Sequence, residues 1–268
     1  MGNRMSGHKT LRTSVDDQVA TITLARPEVK NAFNDVMLGE LLEVYGGYNA
    51  DPSVRAVVIT GEGDSFCAGA DLNYMKKTAT YTFEENYRDG LVISDVMELI
   101  HKLRKPTIAR VNGYAIGGGA GLMAANDIVV ASDQAVISLS EVKIGLVPAC
   151  ISPYVVMRAG PGACREFFLT GERMKADKAF RLGLVNTVAP HEELDAEIEK
   201  LTRRIKTSGP EALKVCKDLI DSVDEMPLEK AKEHTARVIA EVRASDEGVE
   251  GMTAFLEKRK PRWVEKKE

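Results

Sequence analysis

Lys105-Pro-Thr-Ile-Ala-Arg-Val-Asn-Gly-Tyr-Ala-Ile-Gly-Gly-Gly-Ala-Gly121 decides how this chain is read. An apolar strand runs into three consecutive glycines, and the glycines open a helix. A helix N-terminus carries unpaired N–H donors and a partial positive charge, and glycine lets a ligand approach the main chain without meeting a Cβ. Such a corner can hold a developing oxyanion. Upstream, Arg55-Ala-Val-Val-Ile-Thr60 leads into Gly61-Glu-Gly-Asp-Ser-Phe-Cys-Ala-Gly-Ala-Asp71 and reads the same way: strand, turn, exposed backbone. Two N–H donors from separate loops, converging on one carbonyl oxygen, would stabilise an enolate-like charge.

Working outward, four short apolar strands start near Val19-Ala-Thr-Ile-Thr-Leu24, Ala56-Val-Val-Ile59, Pro106-Thr-Ile-Ala-Arg-Val111 and Asp127-Ile-Val-Val-Ala131. Each is followed by a turn and a helix or second strand. That spacing predicts strand–helix crossovers, hence an α/β chain with largely parallel sheets covered by helices. Beyond about residue 190 the pattern becomes helical only: Glu192 to Lys206, Glu211 to Val223 and Leu228 to Arg243, punctuated by Ser208-Gly-Pro210 and Met226-Pro227. Pro210 suits the first turn of the helix it opens. Helices with one apolar stripe and little local core must be covered, by the core or by a neighbouring subunit.

A chain of 268 residues with net charge −4 and no basic stripe does not favour nucleic acid as a partner. No apolar run is long enough to span a bilayer, and Met1–Thr10 lacks the apolar stretch of a secretion signal, so the expected location is cytoplasmic. Cys67, Cys150, Cys164 and Cys216 form no CxxC pair, which points to buried free thiols and not to disulfides or zinc.

Phe66-Cys-Ala-Gly-Ala-Asp-Leu72 and Asn112-Gly-Tyr-Ala-Ile-Gly-Gly-Gly119 resemble the two signature loops of the crotonase (enoyl-CoA hydratase/isomerase) superfamily. The resemblance runs from about Val19 to Arg259. It implies a core of repeated ββα units over 1–195 that holds the CoA and acyl site. It also implies a C-terminal helical region over 196–268 that assembles a homotrimer or a dimer of trimers. The implied oxyanion donors are the amides of Ala70 and Gly118; losing one such donor costs about 3 kcal/mol of transition-state stabilisation. Arg26-Pro-Glu-Val-Lys-Asn-Ala32 matches the family's first CoA element, with Lys30 at the phosphate end. Ala68 to Ala70, with Asp71 and Leu72, would border the CoA, and Phe255 and Lys258 would approach CoA bound to a neighbouring subunit. Tyr74 to about Tyr87 would border the acyl group as a mobile segment.

Glu141 is the candidate base. It lies in Ala135-Val-Ile-Ser-Leu-Ser-Glu-Val-Lys-Ile-Gly-Leu-Val-Pro148, where apolar surroundings would raise its pKa toward the working pH. From residue pattern alone a capping or salt-bridged glutamate is an equal reading; Ser140 to Pro148 resembles the segment that supplies the catalytic glutamate in enoyl-CoA hydratases. The departure is Gly121, where two-glutamate hydratases of the family carry their other carboxylate. Two carboxylates can grip a water and trade its proton, whereas one base suffices to shuttle a proton between neighbouring carbons. Asn126 and Ser140 are nearby polar candidates for positioning water.

The expected activity is enoyl-CoA hydration, with 3-to-2-enoyl-CoA isomerisation as the alternative. Gly117 to Leu122, Glu141 to Tyr154 and Phe168 to Arg173 resemble a bacterial methylglutaconyl-CoA hydratase branch. Gly121 and Ala149 lack the acidic partners of dienoyl-CoA isomerases. No metal or redox cofactor is implied, CoA being part of the substrate. Two other classes compete. Gly119-Ala-Gly-Leu-Met-Ala124 fits a dinucleotide fingerprint, but the helix before Asp127 is too short for one. An inactive crotonase scaffold acting as a CoA-binding oligomer would explain Gly121, although it leaves Glu141 unexplained.

Overall fold

The computed structural model describes residues 7–224 and 226–264; Met1 to Ser6, part of the N-terminal stretch read above as a tail, lie outside the described residues. Among the described residues ten strands form two sheets. β1 (Leu11–Asp16) and β2 (Val19–Leu24) pair antiparallel as a hairpin. From there β2, β3 (Ala56–Gly61), β5 (Thr107–Val111), β7 (Ile128–Ser132) and β10 (Thr187–Ala189) run parallel in one six-stranded sheet. The second sheet has the order β4 (Ser65–Cys67), β6 (Tyr114–Ile116), β8 (Val136–Ser138) and β9 (Met174–Lys175).

The repeat expected from the sequence is plain in this order. Strand pairs β3/β4, β5/β6 and β7/β8 each place one strand in the large sheet and the next in the small one. A helix follows each pair: α2 (Leu72–Thr78) with α3 (Phe83–His101), α4 (Gly118–Ala124) and α5 (Ser152–Thr170). Parallel strands covered on both faces read as continuous apolar runs, and β3 is such a run, buried at every position except Thr60.

Alternation along these strands divides the core. Val57, Ile59, Ala109, Val111, Val129 and Ala131 face the main core with α1 (Asp35–Ala50) and the C-terminal half of α3. Ala56, Val58, Ile108 and Val130 face the other way, where Leu194 and Ile205 of α7 (Leu194–Lys206) cover them. Thus α7, which straddles the expected division at 195/196, closes the outer face of the large sheet.

α8 (Pro210–Asp224), α9 (Leu228–Ala244) and α10 (Asp246–Leu256) complete the chain. The helices expected at Glu211 to Val223 and Leu228 to Arg243 are present, with Pro210 as the first residue of α8. Neither α8 nor α9 has a buried residue, and a groove of about 490 Å³ runs between them, lined by Ala212, Val215, Leu219, Val238 and Val242. The thiols are free; Cys67 and Cys164 are buried as expected, but Cys216 is exposed, because it lies on the side of α8 that the rest of the chain leaves open. No helix among the described residues is long and apolar enough to cross a membrane.

Candidate active site

The glycine corner is built by the backbone. Gly117 follows β6 with φ 53° and ψ −124°, a conformation that side chains other than glycine's rarely adopt. Its N–H donates to Ser138 O at 2.7 Å, and its carbonyl accepts from Ala120 N at 2.9 Å and Gly121 N at 3.2 Å. The first turn of α4 is thereby closed behind Gly118. Among the described residues the half-buried Gly118 N–H has no acceptor.

The second loop reaches the same place from β4. Ala68 N–H donates to Lys30 O at 3.0 Å, Phe33 N–H to Gly69 O at 2.8 Å, and Asp71 N–H to Phe33 O at 2.9 Å. The Ala70 N–H falls between these bonds and has no acceptor among the described residues. A Cβ on Gly69 would lie only 3.7 Å from Gly118 N, so the two loops meet where the two free amides lie. Two buried asparagines hold the turn before β4. Asn31 Nδ2 donates to Glu62 O and Ser65 O, and Asn112 Nδ2 donates to Gly61 O and Gly63 O. Both lie inside quoted motifs, yet nothing in residue type alone assigns them this bracing role.

Glu141 opens a 3-10 turn, Glu141–Ile144, directly after β8. Its Oε1 lies 3.0 Å from where a Cβ on Gly117 would sit, so the carboxylate faces the corner. Its Oε2 is buried with no hydrogen-bond partner. Burial pushes this carboxyl above its ordinary 4.5, against a smaller lowering by a backbone hydrogen bond. An unpartnered carboxylate oxygen is not what a capping or salt-bridged glutamate shows. The arrangement can therefore accept a proton beside a pair of amides that can take negative charge.

Arg26 and Asp71, expected near CoA, meet each other. Arg26 donates to Asp71 at 2.7 Å and to Ala32 O at 2.6 Å. Asp71 also caps α2, accepting from Asn73 N and Tyr74 N. Burial would raise its carboxyl, but the Arg26 guanidinium and the two amides outweigh that and hold it below the usual range. Lys30 is exposed in the left-handed region, φ 53°, with its ammonium 5.2 Å from the Tyr114 ring centroid. Leu72 is 75% exposed beside the Ala70 loop. Phe255 and Lys258 stand apart from this cluster, on α10 and the turn after it; α10 packs on α8 and α9.

Gly121 is filled from outside. A Cβ there would lie 2.1 Å from Ile151 Cγ2 and 2.6 Å from Ile151 Cβ. The absence of a side chain at 121 is thus matched by a buried isoleucine in its place, which residue spacing did not signal. Asn126 is turned to the far end of α4, donating to Leu122 O, while the Ser140 side chain makes no capping bond. The segment expected as a mobile acyl border is mostly helical. α2 and α3 are separated by four residues, and Thr82 with Glu85 forms a capping box. Two of its aromatic residues are still open to solvent, Phe83 at 84% and Tyr87 at 56%, with Leu91 at 44% one turn further along α3.

The chain is similar over nearly its whole length to enoyl-CoA hydratases. The chain is 35% identical over 253 residues to the crotonyl-CoA hydratase of Syntrophomonas wolfei, covering 94% of this chain and 96% of that one. It is 34% identical over 247 residues to the short-chain-enoyl-CoA hydratase of Clostridium acetobutylicum, covering 91% and 94%. The crystal structure of an enoyl-CoA hydratase from Shewanella pealeana superposes with a TM-score of 0.93 at 36% identity, over 96% of this chain and 97% of that one. Residues 14–266 match the enoyl-CoA hydratase/isomerase family. With the ββα repeat, the paired glycine loops and Glu141 all in the matched span, the chain belongs to that family.

Proposed function

We propose that this protein is an enoyl-CoA hydratase that adds water across the double bond of an α,β-unsaturated acyl-CoA. The observation that carries the reading is the half-buried Glu141 carboxylate, one oxygen unpartnered, facing a corner where the Ala70 and Gly118 amides have no acceptor. In this mechanism the two amides hold the thioester oxygen and take up charge as the enolate forms. Glu141 accepts a proton from the attacking water and returns one to the α-carbon. The thioester already acidifies that carbon, so the step calls for no metal or redox group.

Isomerisation of 3-enoyl-CoA is the second reading, and Gly121 with Ile151 favours it, since a single carboxylate serves a proton shuttle directly. The finer substrate proposal is a branched, carboxylated acyl group of the methylglutaconyl type, supported by the motif resemblance over Gly117 to Leu122, Glu141 to Tyr154 and Phe168 to Arg173. Lys30, Phe255 and Lys258 are proposed CoA contacts, the last two across a subunit boundary. The uncovered α8 and α9 support assembly into a trimer or a pair of trimers.

The test follows hydration of 2-enoyl-CoA and isomerisation of 3-enoyl-CoA in parallel, with short, long and branched carboxylated substrates, in wild type and Glu141→Gln. Glu141-dependent loss of the conjugated thioester absorbance with 3-hydroxyacyl-CoA formed is the expected result. Conjugation appearing from 3-enoyl-CoA without hydration would replace the first reading by the second. CoA binding without turnover on the whole panel would leave an inactive scaffold.

A further inference from the structure

We infer that Phe33 is the positioning residue that sets the spacing between the two free amides. Its backbone brackets Ala70: Phe33 N–H donates to Gly69 O at 2.8 Å and its carbonyl accepts from Asp71 N at 2.9 Å, a parallel bridge that leaves the amide between them unused. Its ring packs beside the residue that carries the other donor. A Cβ built on Gly118 would lie 2.4 Å from Phe33 Cε1 and 2.6 Å from Cζ, so the ring occupies the space beside the first residue of α4. One residue therefore touches both loops, with main chain on one side and ring on the other.

The ring is itself held. Tyr74 meets it edge-on at 6.3 Å between centroids and 63° between planes. Tyr74 begins in the first turn of α2, where its N–H is accepted by Asp71, and its hydroxyl donates to Asp89 on α3 at 2.5 Å. Phe33 and Tyr74 are 3% and 6% exposed. The path closes on itself: Phe33 O holds Asp71, Asp71 caps α2, and Tyr74 of α2 returns onto the Phe33 ring. With the ring gone, the start of α4 loses the side-chain contact that helps hold it off the Ala70 loop, and a shift of about 1 Å in a group that must meet the reacting oxygen can cost about 100-fold in rate.

The inference rests on reading the Ala70 and Gly118 amides as the thioester donors, and the test separates the two. The carbonyl stretch of bound butyryl-CoA, isotopically labelled at the thioester carbon, reports polarisation by the amides without turnover. The enoyl-CoA that wild type hydrates fastest reports kcat and KM. Phe33→Leu is expected to lower kcat about 10-fold to 100-fold with KM changed less than about threefold, and to shrink the carbonyl shift. Gly118→Ala is expected to lower kcat similarly because its methyl meets the ring. In Phe33→Leu/Gly118→Ala the losses are expected to fall short of their product by about tenfold, as contacting sites couple.

A Phe33→Leu enzyme with wild-type kcat and carbonyl shift would overturn the role of Phe33 while sparing the amides. So would multiplicative losses in the double variant. An unshifted carbonyl in wild type would overturn the amide reading and this inference together. Should Phe33→Leu fail to fold, Tyr74→Phe, which removes only the hydroxyl to Asp89, carries the same readouts with a smaller expected loss of about threefold to tenfold in kcat; unchanged kcat and carbonyl shift there would count against the path through Tyr74.

Discussion

The glycine corner and the C-terminal helices solve the problem of holding a shape in opposite ways. At the corner nearly every fixed point is main chain: Gly117 bonds Ser138, Phe33 brackets Ala70, and two buried asparagines satisfy the carbonyls of the turn before β4. At the C-terminal end the fixed points are charges. Buried Glu250 receives two bonds from Arg259 at 2.7 and 2.9 Å and one from the Arg262 N–H at 2.8 Å, and Trp263 Nε1 donates to Thr207 O at 3.1 Å. The first region is shaped inside one chain and leaves two donors free for a ligand. The second leaves apolar surface uncovered, with Ile220 68%, Leu228 82% and Ile239 46% exposed. A region finished by its own backbone can host chemistry; one left apolar on its surface still has that surface to cover.

The sharpest test of the corner is Glu141→Gln. Hydration is expected to fall about 100-fold to 10,000-fold in kcat with little change in KM, read by steady-state kinetics. The base must be ionised to accept a proton, so in wild type kcat/KM is expected to fall as pH drops through the Glu141 pKa, which burial holds above 4.5. The variant should lose that acid limb. The linked stability effect has the opposite sense. A carboxyl raised in the folded state binds its proton more tightly there, so its stabilising effect is present below 4.5 and is lost as pH rises through the folded pKa. Glu141→Gln should accordingly raise the melting temperature at neutral pH.

Next in size is Gly121→Glu, which drives a side chain into Ile151. A loss of about 1–3 kcal/mol is expected in denaturant melts, recovered in large part by adding Ile151→Gly. Recovery of stability together with a gain in hydration over isomerisation would show that packing, not the backbone, keeps this corner to a single carboxylate. Equal stability of both variants would mean that the space at 121 is not set by Ile151.

For the C-terminal region, the proposed assembly predicts that wild type scatters light as a trimer or hexamer and that Ile220→Glu combined with Leu228→Glu lowers that mass toward the single chain, with helix content retained. An unchanged mass would move the subunit contact elsewhere. The smallest effect is expected from pH on the charged tail. Hydrogen bonds from Arg259 lower the Glu250 carboxyl to about 2, so its contribution is complete above 4.5 and is lost as pH falls through about 2. Trp263 is the single tryptophan, and its fluorescence should change over that window and already at neutral pH in Glu250→Gln.

Much of this was legible from the chain alone. The apolar runs at Val19, Ala56, Pro106 and Asp127 are strands because parallel strands buried on both faces need continuous β-branched and small residues. The two glycine loops were legible for a related reason: close backbone approach tolerates only the smallest residue, so it leaves a mark in residue type. The Glu141 segment stood out as a carboxylate in apolar company. Helical period likewise marked α8 and α9, although it could not say what covers them.

Other features needed the fold. That Ala70 and Gly118 present their amides at one place depends on β4 and β6 being neighbours in the small sheet, a pairing between strands 47 and more residues apart in their bracing bonds. Phe33 and Ile151 carry no mark in the sequence because an apolar residue looks alike whether it fills a core or wedges a site. Arg26 and Asp71 look like ligand contacts until 45 residues of separation close into an ion pair. The sequence determined the elements and the backbone-built corner, since propensity, burial period and glycine tolerance act locally. Which side chains meet was decided only by tertiary structure, because contact between distant residues depends on the path of the whole chain.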